Sequence, residues 1–230
     1  MKATRLAFSC LLLAFSSLSY EFVLAQMMSI LGGHTVLFYC LTIGLYIFAL
    51  GAGSLVSVEE RDETWLFHRL FWVEGSLSVL GGGIPLWMIG LDGVLGFVFQ
   101  SGIAWPYLTL IPHALLIVAI GFLSGMELPL ILRLAEAWKI PNFLTRLLGL
   151  DYIASFLGAI SCPIFFFPQF GIIESTCFLA LINLLALLLI VPFRYRSWPL
   201  YITLSFALIF VYAIVRSDDL NVWLSAALYQ

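Results

Sequence analysis

Charge is scarce in this chain. Its 230 residues hold 10 Lys and Arg and 13 Asp and Glu, and charged residues make up 10% of the sequence, where soluble domains average about 25%. With 63% hydrophobic residues and a mean hydropathy of +1.09, there is no room for a separate soluble domain. A net charge of −3 spread over the chain leaves no basic face for nucleic acid, which is excluded as a partner. Cysteine is also sparse. Cys10, Cys40, Cys162 and Cys177 all fall in apolar runs without metal-type spacing. They read as small buried hydrophobes and fix no redox compartment. Of the three histidines, His34 and His68 read as loop residues, and His113 reads as a hydrogen-bonded ring near the start of a span rather than a proton shuttle. Without a paired catalytic histidine motif, a Ser–Lys pair or a metal cluster, no catalytic residue, metal or cofactor is expected.

What the chain does have is apolar runs of bilayer-crossing length. Seven are legible, at 6–28, 35–56, 70–91, 105–132, 147–168, 172–191 and 198–215. Their backbones must satisfy themselves in lipid, which selects helices, and the runs are too long and too continuously apolar for barrel strands. The expected fold is an all-α, polytopic integral membrane helical bundle of about seven transmembrane helices, surrounded by membrane lipid. It fills 1–216 and leaves a short tail at 217–230. Lys2 and Arg5 followed by an apolar stretch and Val23-Leu24-Ala25 resemble a secretory signal. Because apolar character runs on to Met28, an uncleaved first span is the favoured reading.

The basic residues alternate with the spans. Lys2 and Arg5 precede the first; Arg61 and Arg69 lie between the second and third; Arg133, Lys139 and Arg146 lie between the fourth and fifth; Arg194 and Arg196 lie between the sixth and seventh. Only Arg216 falls on the other side. The positive-inside rule puts the N-terminus in the cytoplasm, and seven crossings then put the C-terminus outside. Six tryptophans (Trp65, Trp72, Trp87, Trp105, Trp198 and Trp223) mostly sit near span ends, as an interfacial belt does. Two connections are irregular. The stretch 91–105 is apolar, Gly-broken and too short to span, an interfacial or re-entrant piece. The stretch 133–146 mixes apolar and charged residues around Pro141 and reads as an amphipathic element on the membrane surface.

Small residues concentrate in spans two, three and five: Gly44, Gly51 and Gly53; Gly81, Gly82 and Gly83; Ala154, Ser155, Gly158, Ala159 and Ser161. They let helix backbones approach closely. Close packing is the favoured reading of Gly81-Gly82-Gly83-Ile84-Pro85, ahead of a helix break at a binding site. A phosphate loop is excluded, since no Lys-Ser/Thr follows.

Acids inside the spans are the residues that point to a site, because an ionisable group in a bilayer is costly to keep. Glu74, Asp151 and Glu174 are placed in or near the first turns of their spans, where the helix dipole favours an anion and capping accounts for them. Glu21 and Glu127 lie toward C-terminal halves, where the dipole disfavours them. Either each carries a proton or each has a partner. The candidate partners are Tyr20, Tyr152, Asn183, a snorkelling Arg133 or a bound cation. With the N-terminus inside, Glu74, Glu127 and Asp151 lie toward the cytoplasmic leaflet, and Glu21 and Glu174 toward the outer one.

Several strings carry a family resemblance. Ser19-Tyr20-Glu21-Phe22-Val23-Leu24 followed by Leu31-Gly32-Gly33-His34-Thr35 resembles the "YE" and "LLG-T" elements of bacterial membrane-bound spermidine synthase homologues. Gly44 through Gly51-Ala52-Gly53-Ser54-Leu55 resembles their second-span glycine motif, and Gly125-Met126-Glu127-Leu128-Pro129-Leu130 their "G-x-x-x-P-L" element. Asp151-Tyr152-Ile153-Ala154-Ser155-Phe156-Leu157-Gly158-Ala159 is similar to their "YxxNxLGA" element. The resemblance covers nearly the whole chain. It implies a multi-span region, likened to half of a major-facilitator transporter, preceding a Rossmann aminopropyltransferase domain, and a place in the bacterial inner membrane. This chain stops about where that domain would begin, so aminopropyl transfer does not carry over. The acidic loop Glu59-Glu60-Arg61-Asp62-Glu63 departs from a facilitator's basic loop. The charge rule puts Gln230 outside, whereas the family's substrates are cytosolic; either the synthase domain works outside or the last span does not cross.

Two functions are therefore expected. One is a module that binds or moves a small cation such as a polyamine, with Glu21 and Glu127 as principal ligands and Asp151, Glu74, Tyr20 and Tyr152 supporting. The other is a non-catalytic anchor for a separately encoded synthase subunit, docked through 133–146 and the tail 217–230.

Overall fold

The structure is a computed structural model and describes residues 2–56, 62–98, 105–190 and 197–216. Among these residues every regular element is helical: α1 (Lys2–Gly32), α2 (Thr35–Leu55), α3 (Glu63–Gly82), α4 (Ile84–Val98), α5 (Trp105–Ala137), α6 (Phe143–Ser161), a π-helical turn (Cys162–Phe166), α7 (Phe167–Ile190) and α8 (Ser197–Val215). Four segments are long and apolar enough to cross a bilayer: 2–32, 35–55, 110–137 and 143–190. A bent pair, α3 with the first part of α4, makes a fifth.

Local chemistry sets the breaks. α1 stops where Gly33 takes the left-handed conformation (φ 71°) and its N–H returns to the Ser29 carbonyl, a glycine C-cap. α3 and α4 meet at 63° across Gly83, and Pro85 falls in the first turn of α4, where its missing N–H costs nothing. The third expected span, 70–91, is thus two helices, and the break at the triple glycine is real. Of the irregular stretch 91–105, residues 91–98 continue α4, and 99–104 lie outside the described residues.

The expected amphipathic element at 133–146 is absent. α5 runs on to Ala137 and closes in a Schellman turn: Lys139 is left-handed (φ 53°), the Ile140 N–H reaches the Ala135 carbonyl at 3.0 Å and the Lys139 N–H reaches that of Glu136 at 2.9 Å. Asn142, also left-handed, leads into α6. Pro141 marks this turn, and the charges around it sit on helix ends.

The stretch 143–190 is helical almost throughout, yet it doubles back. A Cβ built on Gly158 would lie 2.7 Å from the Phe15 carbonyl and 3.0 Å from the Ser19 hydroxyl, while Asn183 bonds Ser16 at 2.9 Å. In a straight helix those two positions would stand about 37 Å apart. Both instead touch one turn of α1, so the chain reverses between them. The reversal is at Gly171 (φ 78°, ψ −177°), a region open to glycine alone. Pro163 sits in the π-helical turn just before it, where an interrupted hydrogen-bond ladder tolerates a proline.

α1 lies at the centre, packed against α2, α5, α6 and α7, and its Leu6, Leu13, Tyr20, Leu24 and Met27 are buried in the core. Outward faces are apolar: Phe48 on α2, Phe156 on α6 and Leu208 on α8 are 70%, 61% and 69% exposed. An apolar exterior of this extent suits lipid rather than water. At one end Lys2 stacks on Trp138 at 5.0 Å, and the Trp138 Nε1 donates to Glu63 at 2.7 Å. The start of α1, the start of α3 and the turn after α5 therefore gather at the same end of the bundle.

Candidate functional site

Two fully buried tyrosines divide the interior. On one side, Tyr46 of α2 ties three helices together. Its hydroxyl donates to the Ser17 carbonyl (2.9 Å) and lies 2.9 Å from the Ser124 hydroxyl and 3.1 Å from the Ser17 hydroxyl, either of which can donate to it. Beside it α2 and α5 meet backbone to backbone. A Cβ on Gly125 would stand 2.1 Å from the Leu50 carbonyl, and one on Gly53 2.0 Å from that of Phe122. Gly121 and Gly125 form a small-xxx-small pair on α5, the spacing that permits such an approach.

On the other side stands Tyr20 of α1, whose ring covers Gly81 of α3. Around it α3, α5 and α7 bring together Glu74, Glu127 and Asn183. Asn183 is buried, and its Nδ2 donates to Glu74 Oε2 (3.0 Å), the Ser78 hydroxyl (3.2 Å) and the Glu74 carbonyl (3.2 Å). Its Oδ1 accepts from the Ser16 hydroxyl at 2.9 Å. The amide thus orients one carboxylate oxygen of Glu74. Three polar atoms in this group are buried with no hydrogen-bond partner among the described residues: Glu74 Oε1, Glu127 Oε1 and the Tyr20 hydroxyl. Glu127 lies within electrostatic reach of Glu74 and Asp151, and Tyr20 within reach of both glutamates. Buried polar groups are nearly always paired, so three orphans in one place call for an explanation.

The expected residues fall into different places. Glu74 is not near a helix start: α3 begins at Glu63, eleven residues earlier, so capping does not account for it. Asp151 lies eight residues into α6 and is half-buried, so capping fails for it too. Glu174, just past the reversal at Gly171, does sit at the start of a leg. Glu21 is buried but stands apart from the Glu74–Glu127 pair, and no hydrogen bond or ion pair reaches it among the described residues. Tyr152 is 71% exposed and faces away from the cluster. Arg133 bonds Glu136 at 3.0 Å and not Glu127. His68 lies within α3 rather than a loop, and accepts from the Trp72 Nε1 at 3.1 Å. His113 lies 3.1 Å from the Met88 carbonyl and 3.8 Å from Asp92. The loop 57–61 and the tail 217–230 lie outside the described residues.

With the geometry in place, the known relatives are informative. The chain is similar to polyamine aminopropyltransferases. One from Leptospira interrogans is 31% identical over 182 residues, covering 78% of this chain and 34% of the relative. Polyamine aminopropyltransferase 1 of Streptomyces coelicolor is 27% identical over 188 residues, 80% of this chain and 33% of the relative. Polyamine aminopropyltransferase 2 of Ralstonia nicotianae is 29% identical over 180 residues, 77% of this chain and 33% of the relative. The chain spans about a third of the length of the curated relatives it matches. No protein-family model matches it, and no solved structure matches it significantly.

Asn183 is the residue whose role the sequence understated. A lone Asn in an apolar leucine run, Leu181-Ile182-Asn183-Leu184, is itself a signal, because such a side chain in a membrane helix hydrogen-bonds across to a neighbour. Ser16 and Ser78 carry no comparable signal, since serines are common along α1 and α3. Pro129 has a local role. Its ring would press on the carbonyl four residues back, and that residue is Gly125, which gives α5 room to adjust one turn from Glu127.

Proposed function

We propose that this chain is a seven-crossing membrane module, with its N-terminus in the cytoplasm of a bacterial cell, that binds or transports a small polyamine-like cation. Glu74 and Glu127 hold the cation and Tyr20 caps it. One observation carries the reading: Glu74 Oε1, Glu127 Oε1 and the Tyr20 hydroxyl are each buried without a hydrogen-bond partner among the described residues, within electrostatic reach of one another. An alkylammonium group supplies N–H donors and positive charge, which is what two unpaired carboxylate oxygens require. Asn183 holds Glu74 in one orientation, so a ligand meets a preset oxygen. Asp151 extends the acidic field on one side, and Glu21 marks a second acidic position farther along α1, suited to a cation passing between them. The names of the relatives, polyamine aminopropyltransferases, support an aliphatic polyamine as the cation.

The test is uptake and binding of labelled spermidine by the purified full chain in liposomes. Binding is expected in the wild type and at least tenfold weaker in Glu127→Gln and Glu74→Gln. Equal binding by all three overturns the reading.

A second reading is a non-catalytic anchor for a separately encoded synthase subunit, supported by the relatives' name. It predicts that a synthase chain co-purifies in mild detergent and stays bound when both glutamates are neutralised.

A further inference from the structure

Between α3 and α5 the outer surface holds a groove of about 380 Å³. Its composition changes along its length. Toward the end of the bundle where Glu63 meets Trp138, it is walled by Trp65, Arg69 and Trp72 of α3; farther in, Val73 faces Phe122, Leu123 and Met126 of α5. Ser76 adds one hydroxyl at the inner end. From Trp65 to Ser76 the helix rises about 16 Å, so the polar end lies at interfacial depth and the apolar end at acyl-chain depth.

The polar end is cationic. Arg69 is exposed, stands 5.8 Å from the Trp65 ring, and has no carboxylate within ion-pair distance among the described residues. His68 lies beside it in the groove wall, fixed by the bond from Trp72. Trp65 and Trp72 are 38% and 51% exposed; amphipathic rings at that depth belong to the headgroup layer. A guanidinium excludes a polyamine from this groove and keeps it separate from the acidic site, although Val73 and Met126 are chain neighbours of Glu74 and Glu127. A free inorganic anion would use Arg69 but leave the apolar floor empty.

We propose that this groove binds one anionic phospholipid, its phosphate on Arg69 and one acyl chain laid over Phe122, Leu123 and Met126. The site rests on the membrane-embedded reading of the chain and extends it to a specific lipid class.

The test uses the full chain purified in mild detergent, with native mass spectrometry after addition of equal amounts of phosphatidylglycerol and phosphatidylcholine. Phosphatidylglycerol should be retained about five-fold over phosphatidylcholine, the increment of one basic contact near a headgroup. Arg69→Gln should bring the ratio to unity, Arg69→Lys should keep it above unity, and millimolar inorganic phosphate should not displace the lipid. Equal retention of the two lipids, a preference untouched in Arg69→Gln, or full displacement by inorganic phosphate overturns the site. The membrane reading has its own readout, sedimentation with membranes and release only by detergent. If that fails, both ideas fall; if only the lipid preference fails, the membrane reading stands.

Discussion

Tyr20 and Tyr46 are both completely buried in one helical bundle, yet one hydroxyl has three neighbours within hydrogen-bond distance and the other has none among the described residues. Around Tyr46 the phenol is satisfied: glycines on α2 and α5 bring backbones into contact, and the hydroxyl meets Ser17 and Ser124. Around Tyr20 the structure is open-ended: Glu74 Oε1 is left over after Asn183 has bonded Oε2, and Glu127 Oε1 and the phenol have no partner among the described residues. Burial alone does not mark a site. A polar group that the fold has already satisfied is architecture, and one that the fold positions but leaves unsatisfied is prepared for something else.

The largest expected effect is on the Tyr46 side. Gly125→Val would drive a branched side chain into the Leu50 carbonyl, where even a Cβ stands at 2.1 Å. It should cost about 3 kcal/mol or more, read as loss of folded protein in denaturant titration of the detergent-solubilised chain. Next is the reversal: Gly171→Ala forces an L-residue into φ 78°, ψ −177° and should cost about 1–3 kcal/mol, measured the same way. Tyr46→Phe removes a phenol bonded to Ser17 and Ser124 and should destabilise by about 1–2 kcal/mol, leaving cation binding intact. Tyr20→Phe is the smallest. Deleting an unpartnered hydroxyl should change stability by no more than about 0.5 kcal/mol, in either direction, while weakening cation binding. A Tyr20→Phe variant as destabilised as Tyr46→Phe would erase the contrast between the two sides.

Much of the fold was legible because hydrophobic run length reports directly on helices long and apolar enough to cross a bilayer. Lys2, Glu63 and Trp138 meet at one end of the bundle. The helix ends were less legible. α3 begins back at Glu63 and α5 runs on to Ala137, past where the apolar runs stop. That shift puts Glu74 in mid-helix, where capping no longer accounts for it. The rule that an acid in an apolar span needs a reason singled out both Glu127 and Glu21; Glu127 lies within electrostatic reach of Glu74, and Glu21 makes no hydrogen bond among the described residues. Pairing across helices cannot be read from one strand of sequence. Asn183 meeting Glu74 depends on the doubling back at Gly171, and Tyr152 faces outward because α6 turns its other side to α1.

The central claim is that Glu127 and Glu74 are left unsatisfied in order to hold a cation. Thermal unfolding of the purified full chain with and without saturating spermidine tests it most directly, since a ligand that binds the folded state raises its Tm. The account predicts a clear rise in the wild type and in Tyr152→Phe, and none in Glu127→Gln or Glu74→Gln. A wild type that does not respond, or glutamine variants that respond just as strongly, would contradict it.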